Sequence, residues 1–126
     1  MALPVRVALD TNMLLSVSEL KVDIFRQIRE TFGKVDFIVP KQVIEELSRI
    51  ALKGKKSHAS VRIARELIEK NNVRQVIVKA VGADEALIKL SDKAVIASND
   101  KGLKLAVMEK HGRVIFLRQK KFAEIV

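Results

Sequence analysis

Two kinds of segment alternate along the chain. Short apolar, β-branched runs fall at Val5–Leu9, Phe37–Val39, Val76–Val78, Ala94–Ala97 and Val114–Leu117. Longer stretches with helical spacing lie between them, at about 20–32, 41–53, 58–72, 83–92 and 101–110. Continuous apolar strands separated by helices predict parallel strands buried on both faces. The expected fold class is therefore α/β, a three-layer α/β/α sandwich around a central, mostly parallel sheet of five strands. Two helical stretches separate the second strand from the third, so one crossover is long. The stretch Lys53-Gly54-Lys55-Lys56-Ser57 reads as a turn between two helices, with Ser57 as the N-cap of the second. No internal repeat interrupts this order, and residues 1–126 are expected to form a single domain.

Composition narrows the chemistry. With 48% hydrophobic residues the chain can build a core without covalent staples, and it has no cysteine. Disulfides, thiolate metal sites and cysteine nucleophiles are excluded. Lack of cysteine suits a reducing cytosol, and no segment approaches the ~18 apolar residues that span a bilayer. Met1 to Leu9 is too short for a signal peptide and lacks its charged start. The expectation is a soluble, cytoplasmic protein with no membrane partner.

The net charge is +9, from 24 Lys and Arg against 15 Asp and Glu. Such an excess attracts polyanions and lets a protein follow a phosphate backbone, although a lysine-rich surface also serves solubility. Five Phe and no Tyr or Trp argue against a multi-base stacking platform. A nucleic acid held here is held by charge and by metal ions.

In open α/β sheets ligands bind outside the carboxyl ends of the strands. Asp10 directly follows the first strand, and Asp100 lies three residues beyond the fourth, just before a helix. Each alone reads as a helix N-cap. Together at adjoining strand ends they repel, unless a cation lies between them. Helical phase selects two more acids. In the helix from Lys41, Val43, Ile44, Leu47, Ile50 and Ala51 mark the buried face. Glu45 points away from it, and Glu46 lies about 90–100° from its centre, where core meets solvent. In Ala83-Asp84-Glu85-Ala86-Leu87 the same phase puts Asp84 beside the core and Glu85 outward. An ordinary solvated helix charge is the alternative for each.

These residues carry a family resemblance. Val7-Ala8-Leu9-Asp10-Thr11-Asn12 resembles the opening of PIN-domain nucleases, with its strand-Asp-Thr-Asn signature. Val39-Pro40-Lys41-Gln42-Val43-Ile44-Glu45-Glu46-Leu47 resembles their second motif, a proline before a helix that carries an acid. Ala83-Asp84-Glu85-Ala86 resembles the third, and Ala97-Ser98-Asn99-Asp100-Lys101-Gly102-Leu103-Lys104 the fourth. Each motif is weak alone, but the four occur in order over residues 5 to 105. Some members place the third acid directly before Ala-Leu-Ile, which selects Glu85. Phase selects Asp84, with Glu85 as the alternative.

The resemblance implies a metal-dependent endoribonuclease with Asp10, Glu46, Asp84 and Asp100 as catalytic and metal-binding acids. Carboxylates are hard oxygen ligands suited to one or two Mg²⁺ or Mn²⁺ ions. Thr11, Asn12, Ser98 and Asn99 are candidates to orient those carboxylates or touch the phosphate. His58 and His111 lie outside the motifs and read as surface residues. Arg49, Lys53, Lys55, Lys56, Arg62 and Arg65 form either an RNA-binding surface or a solvated helical hairpin. Within the family, Ser98-Asn99-Asp100-Lys101-Gly102 looks closer to ribosomal-RNA processing nucleases than to toxin ribonucleases held by an antitoxin protein. RNA processing is the favoured role; an antitoxin partner and a homodimer are the other associations the resemblance implies. A haloacid-dehalogenase-like phosphohydrolase using Asp10 is disfavoured, because Asn12 stands where its second Asp belongs. A non-catalytic RNA-binding scaffold is disfavoured by the four acids.

Overall fold

A computed structural model describes residues 3–126; Met1 and Ala2, the start of the segment weighed as a leader, lie outside the described residues. The elements follow in the order β1 (Val5–Leu9), α1 (Thr11–Leu20), α2 (Ile24–Phe32), β2 (Val35–Pro40), α3 (Lys41–Ala51) and α4 (Lys55–Lys70). Then come β3 (Arg74–Val76), α5 (Ala83–Leu90), β4 (Val95–Ala97), α6 (Lys101–Glu109), β5 (Val114–Arg118) and β6 (Phe122–Ile125). The sheet order is β3-β2-β1-β4-β5-β6. β1 to β5 are mutually parallel, and β6 runs antiparallel to β5.

Successive connections run first toward the β3 edge and then back toward β5. Right-handed crossovers therefore place α1–α4 over one face and α5 and α6 over the other. This is the expected three-layer sandwich. β1 is the hinge of the topology, with β2 on one side and β4 on the other. The strand order reverses there, so a crevice opens at the carboxyl ends of β1 and β4.

β1 and β4 are central and, apart from the exposed Arg6 near the start of β1, apolar. Val7, Ala8, Leu9, Ile96 and Ala97 are all fully buried. Phe25 of α2 packs edge-on against Phe37 of β2, ring centroids 4.9 Å apart, anchoring α2 to the sheet. No helix of the described residues is long and apolar enough to cross a membrane.

The structure departs from the sequence reading in five places. The sheet has six strands, not five. β6 follows a tight turn in which Gln119 and Lys120 both have positive φ, 53° and 58°. Such turns favour Asn-Gly or Asp-Gly, and neither is present to signal one. Gln27 of α2 holds the hairpin, donating to the Lys121 carbonyl at 2.8 Å and accepting the Ala123 N–H at 2.7 Å. Second, the stretch expected at about 20–32 is α2, and a further helix, α1, precedes it. α1 starts directly after Asp10, but Thr11, Asn12, Ser16 and Ser18 dilute its helical signature. It ends on Lys21 in the left-handed region, φ 56°. Third, β2 is longer than Phe37–Val39, because Val35 and Asp36 already pair with Val5 and Arg6.

Fourth, β3 spans Arg74–Val76, not Val76–Val78. Its partner strand ends at Pro40, opposite Val76, and the chain turns into α3 at the next residue. No ladder partner is left for Ile77, which is 79% exposed. Fifth, α4 begins at Lys55 with Gly54 as its N-cap, so Ser57 lies inside the first turn.

Candidate active site

Asp10 ends β1 and begins α1. Its N–H donates to the Ala97 carbonyl of β4 at 3.1 Å, which fixes the two strand ends together. Its side chain caps α1, with Oδ1 accepting the Met13 N–H at 2.6 Å. Oδ2 accepts from the Ser98 hydroxyl. Ser98 is fully buried, and its own N–H donates to the Ile115 carbonyl of β5 at 2.9 Å. The same hydroxyl accepts the Asp100 N–H at 3.0 Å, and Asp100 Oδ1 caps α6 through the Leu103 N–H at 2.9 Å. One buried hydroxyl thus ties the first acid to the fourth.

Asp10 is only 5% exposed. Burial raises its carboxyl from 3.8 to about 6; the Ser98 and Met13 hydrogen bonds pull against this, and the charges of Asp100 and Asp84 add to it. Those two charges show which acids the fold assembles around Asp10. Asp84 lies in the first turn of α5 and is exposed, as is Glu85. The phase that set Asp84 beside the core does not separate the two, because in this short helix only Ala86 and Leu87 are buried. Its neighbour Glu85 is engaged locally, accepting the Val81 N–H at 2.9 Å and standing 3.8 Å from Lys89. Glu46 is half-buried on α3 while Glu45 is exposed, the faces that phase selected. Glu46 belongs to α3 and sits five residues into this helix, which starts at the carboxyl edge, about 7.5 Å along the axis.

Of the smaller residues, Thr11 is 3% exposed and its Oγ1 has no hydrogen-bond partner among the described residues. Asn12 is exposed. Asn99 faces another way, its Oδ1 accepting the Leu117 N–H at 2.8 Å and pinning the β4–α6 connection to β5.

The donor chemistry fits a divalent cation. The charges of Asp100 and Asp84 act on a buried acid that is hard to ionise, and an orphaned hydroxyl follows it in the chain. Asp10, Asp84 and Asp100 would supply the ligands, with Glu46 behind them. Among the described residues no three acids stand close enough to form a ready-made cage.

The basic residues fall in two places. Arg49, Lys53, Lys55, Lys56, Arg62 and Arg65 are all exposed on the α3–α4 hairpin, where Arg65 donates to Ser48 Oγ at 2.8 Å. The shallow cleft beside Arg62 and Arg65 also contains Glu66 and Glu69. A second cleft, about 520 Å³, reaches the fourth motif, because Ser98 and Asn99 line it together with Ser16 and Glu19. Lys101, Lys104 and Lys120 stand around it. These lysines escaped the sequence reading, although Lys101 and Lys104 sit inside the fourth motif. Lys120 is brought in by the β5–β6 turn.

Comparison with known proteins agrees with this geometry. The family described as "PIN like domain" matches residues 7–120. Ribonuclease VapC4 of Methanocaldococcus jannaschii is 35% identical over 124 residues, covering 92% of each chain. Among solved structures, the PIN domain endonuclease Utp24 aligns with TM-score 0.76 at 19% identity, over 96% of this chain and 92% of that one. A domain of a functionally unknown protein from Methanocaldococcus jannaschii aligns with TM-score 0.61 at 14% identity, over 90% and 91%. At these identities the two structures speak for the fold alone.

Proposed function

The chain belongs to the PIN-like domain family, and from that premise we propose that it is a ribonuclease hydrolysing RNA phosphodiester bonds at the β1–β4 crevice. The observation that carries the reading is the buried Asp10 carboxylate, tied through Ser98 to Asp100 and charged against Asp84. Similarity to a ribonuclease over nearly the whole chain supports it.

Asp10, Asp84, Asp100 and Glu46 are the residues we assign to a divalent cation, Mg²⁺ or Mn²⁺. When bound, such an ion supplies an activated water and neutralises charge on the phosphate. The chain's own residues prepare that site. Ser98 and the Met13 N–H orient both oxygens of Asp10. Asp100 is held by its cap to α6 with Oδ1 engaged. Thr11, next to Asp10 in the chain, keeps a buried hydroxyl that is unpaired among the described residues. The exposed cations of the α3–α4 hairpin raise the local concentration of RNA without reading its sequence.

We favour RNA processing in the cytoplasm as the role. A second reading is the toxin ribonuclease of a toxin–antitoxin pair, which the likeness to Ribonuclease VapC4 supports. The reaction itself is tested by incubating single-stranded RNA with the chain in EDTA, Mg²⁺ and Mn²⁺. Cleavage that needs the divalent ion and is lost in Asp10→Asn is expected. RNA left intact under all three conditions defeats the proposal. Co-purification of a small inhibitor protein with the chain would favour the toxin role.

A further inference from the structure

The 520 Å³ cleft beside Ser98 and Asn99 has a composition that the acids do not explain. Its size is that of a small-ligand site. Leu20, Phe116 and Leu117 contribute an apolar floor, and Leu20 is 40% exposed despite its size. Lys101, Lys104 and Lys120 stand around that floor, and among the described residues none of the three forms an ion pair. Lys104 is held rather than free, half-buried with its Nζ 4.3 Å from the Phe116 ring centroid. A cation kept over an aromatic face is already partly stripped of water and pre-placed.

Resting on the ribonuclease reading above, we propose that this cleft holds the nucleotide adjoining the scissile phosphate of single-stranded RNA. The phosphates on either side of it and the next one along meet Lys101, Lys104 and Lys120, and its base lies on Leu20 and the exposed part of Phe116. Three observations lead there. The cleft shares Ser98 and Asn99 with the fourth motif, and Ser98 is hydrogen-bonded to Asp10, so the cleft lies beside that acid. The acids repel a polyanion, and unpaired cations immediately beside them offset that repulsion. The floor is apolar, which suits an unstacked base and not a duplex, whose bases are already stacked. One ring is no multi-base platform, but it serves one base. Glu19 also lines this cleft, one acid against three lysines, whereas the α3–α4 cleft sets Glu66 and Glu69 against Arg62 and Arg65 and shares no residue with the acidic motifs.

The test measures binding of short single-stranded RNA in the Asp10→Asn background over a salt series, with parental cleavage assayed in parallel. Combined Lys101→Ala, Lys104→Ala and Lys120→Ala should weaken binding about tenfold or more and lower the log–log salt slope by about 2, as three lost phosphate contacts require. Phe116→Leu keeps the floor apolar and removes the ring; it should weaken binding several-fold and leave the salt slope unchanged. Parental melting temperatures for Lys101→Ala with Lys120→Ala, both exposed positions, separate lost contacts from lost folding. If the parent cleaves RNA and the triple variant binds with parental affinity and slope, the cleft is not the RNA path. If the triple variant keeps its RNA affinity but no longer binds an inhibitor protein, the proposal is overturned and the cleft is a protein dock. If the parent cleaves nothing, the ribonuclease reading fails by itself, while loss of RNA binding in the triple variant still supports the cleft.

Discussion

The Ser98 hydroxyl donates to Asp10 across the β1–β4 junction and accepts the Asp100 N–H at 3.0 Å. Ser98→Ala removes one of the two hydrogen bonds that hold the Asp10 pKa down, so this carboxyl should move further above about 6. The Asp100 N–H loses its acceptor as well. We expect a stability loss of about 1–3 kcal/mol and an acid limb of the cleavage profile displaced to higher pH. Ser98→Thr, which restores the hydroxyl, should return both. An unmoved acid limb in Ser98→Ala would show that the hydroxyl does not tune Asp10.

Asp10 also makes folding pH-dependent in a direction opposite to most carboxylates. Its folded value is about 6 against an ordinary 3.8, so the folded chain holds a proton that the unfolded chain releases in that window. Stability is full below pH 3.8 and falls as pH rises through 6. A gap of about two pH units corresponds to about 3 kcal/mol. In EDTA, the difference in stability between the parent and Asp10→Asn should show this fall between pH 4 and 7. A divalent cation should recover part of it, with a gain in melting temperature that grows above pH 6. Parallel pH curves for the two proteins would refute the assignment.

Asp10→Asn separates chemistry from binding. The amide keeps the shape and can still accept the Met13 N–H, but it removes one charge from the acids. Cleavage should fall by orders of magnitude, while RNA affinity survives or rises as repulsion drops. Single-turnover cleavage together with Kd decides it; a variant cutting at the parental rate ends the role given to Asp10.

The neighbouring pair on α5 should behave unlike each other. Asp84→Asn is expected to abolish most cleavage with little change in melting temperature. Glu85→Gln weakens an exposed contact to Lys89 and alters the acceptor of the Val81 N–H. It should cost under about 1 kcal/mol and leave cleavage near the parental rate. The reverse pattern would make Glu85 the third acid.

Gln42 is expected to act at a distance. Its Nε2 donates to the carbonyls of Val78 (2.8 Å) and Ala80 (3.0 Å), tying α3 to the segment that leads into α5. Gln42→Leu leaves both carbonyls without a partner, at a cost of about 1–3 kcal/mol. Cleavage should fall with it because Asp84 loses its mounting, and RNA affinity should not. A drop in affinity without a drop in turnover would place Gln42 in contact with RNA instead.

What could be read from the sequence follows from where side chains meet water. Val5–Leu9 and Ala94–Ala97 are apolar because both faces are covered, so β1, β4 and the strand-end positions of Asp10 and Asp100 were legible. Phase separated half-buried Glu46 from exposed Glu45, because periodicity reports a face. It does not report reach, so how near each acid comes to Asp10 could not be read from phase. α1 was hidden by its serines and threonines, and β6 by a turn that takes positive φ without glycine or asparagine. Lys120 and Phe116 join Lys104 only after β5 and β6 have paired, a contact that no local pattern encodes.

The short hydrogen-bonded chain from Asp10 through Ser98 to the Ile115 carbonyl spans more than a hundred positions of sequence. A ribosome delivers the amino end first. β1 emerges early, yet its central place in the sheet stays half-empty until β4 and then β5 have been made. Asp10 waits, unpaired with Ser98, through most of translation. In a nascent chain the acids at the two strand ends therefore stay apart, and the crevice closes up only once synthesis has passed Ile115.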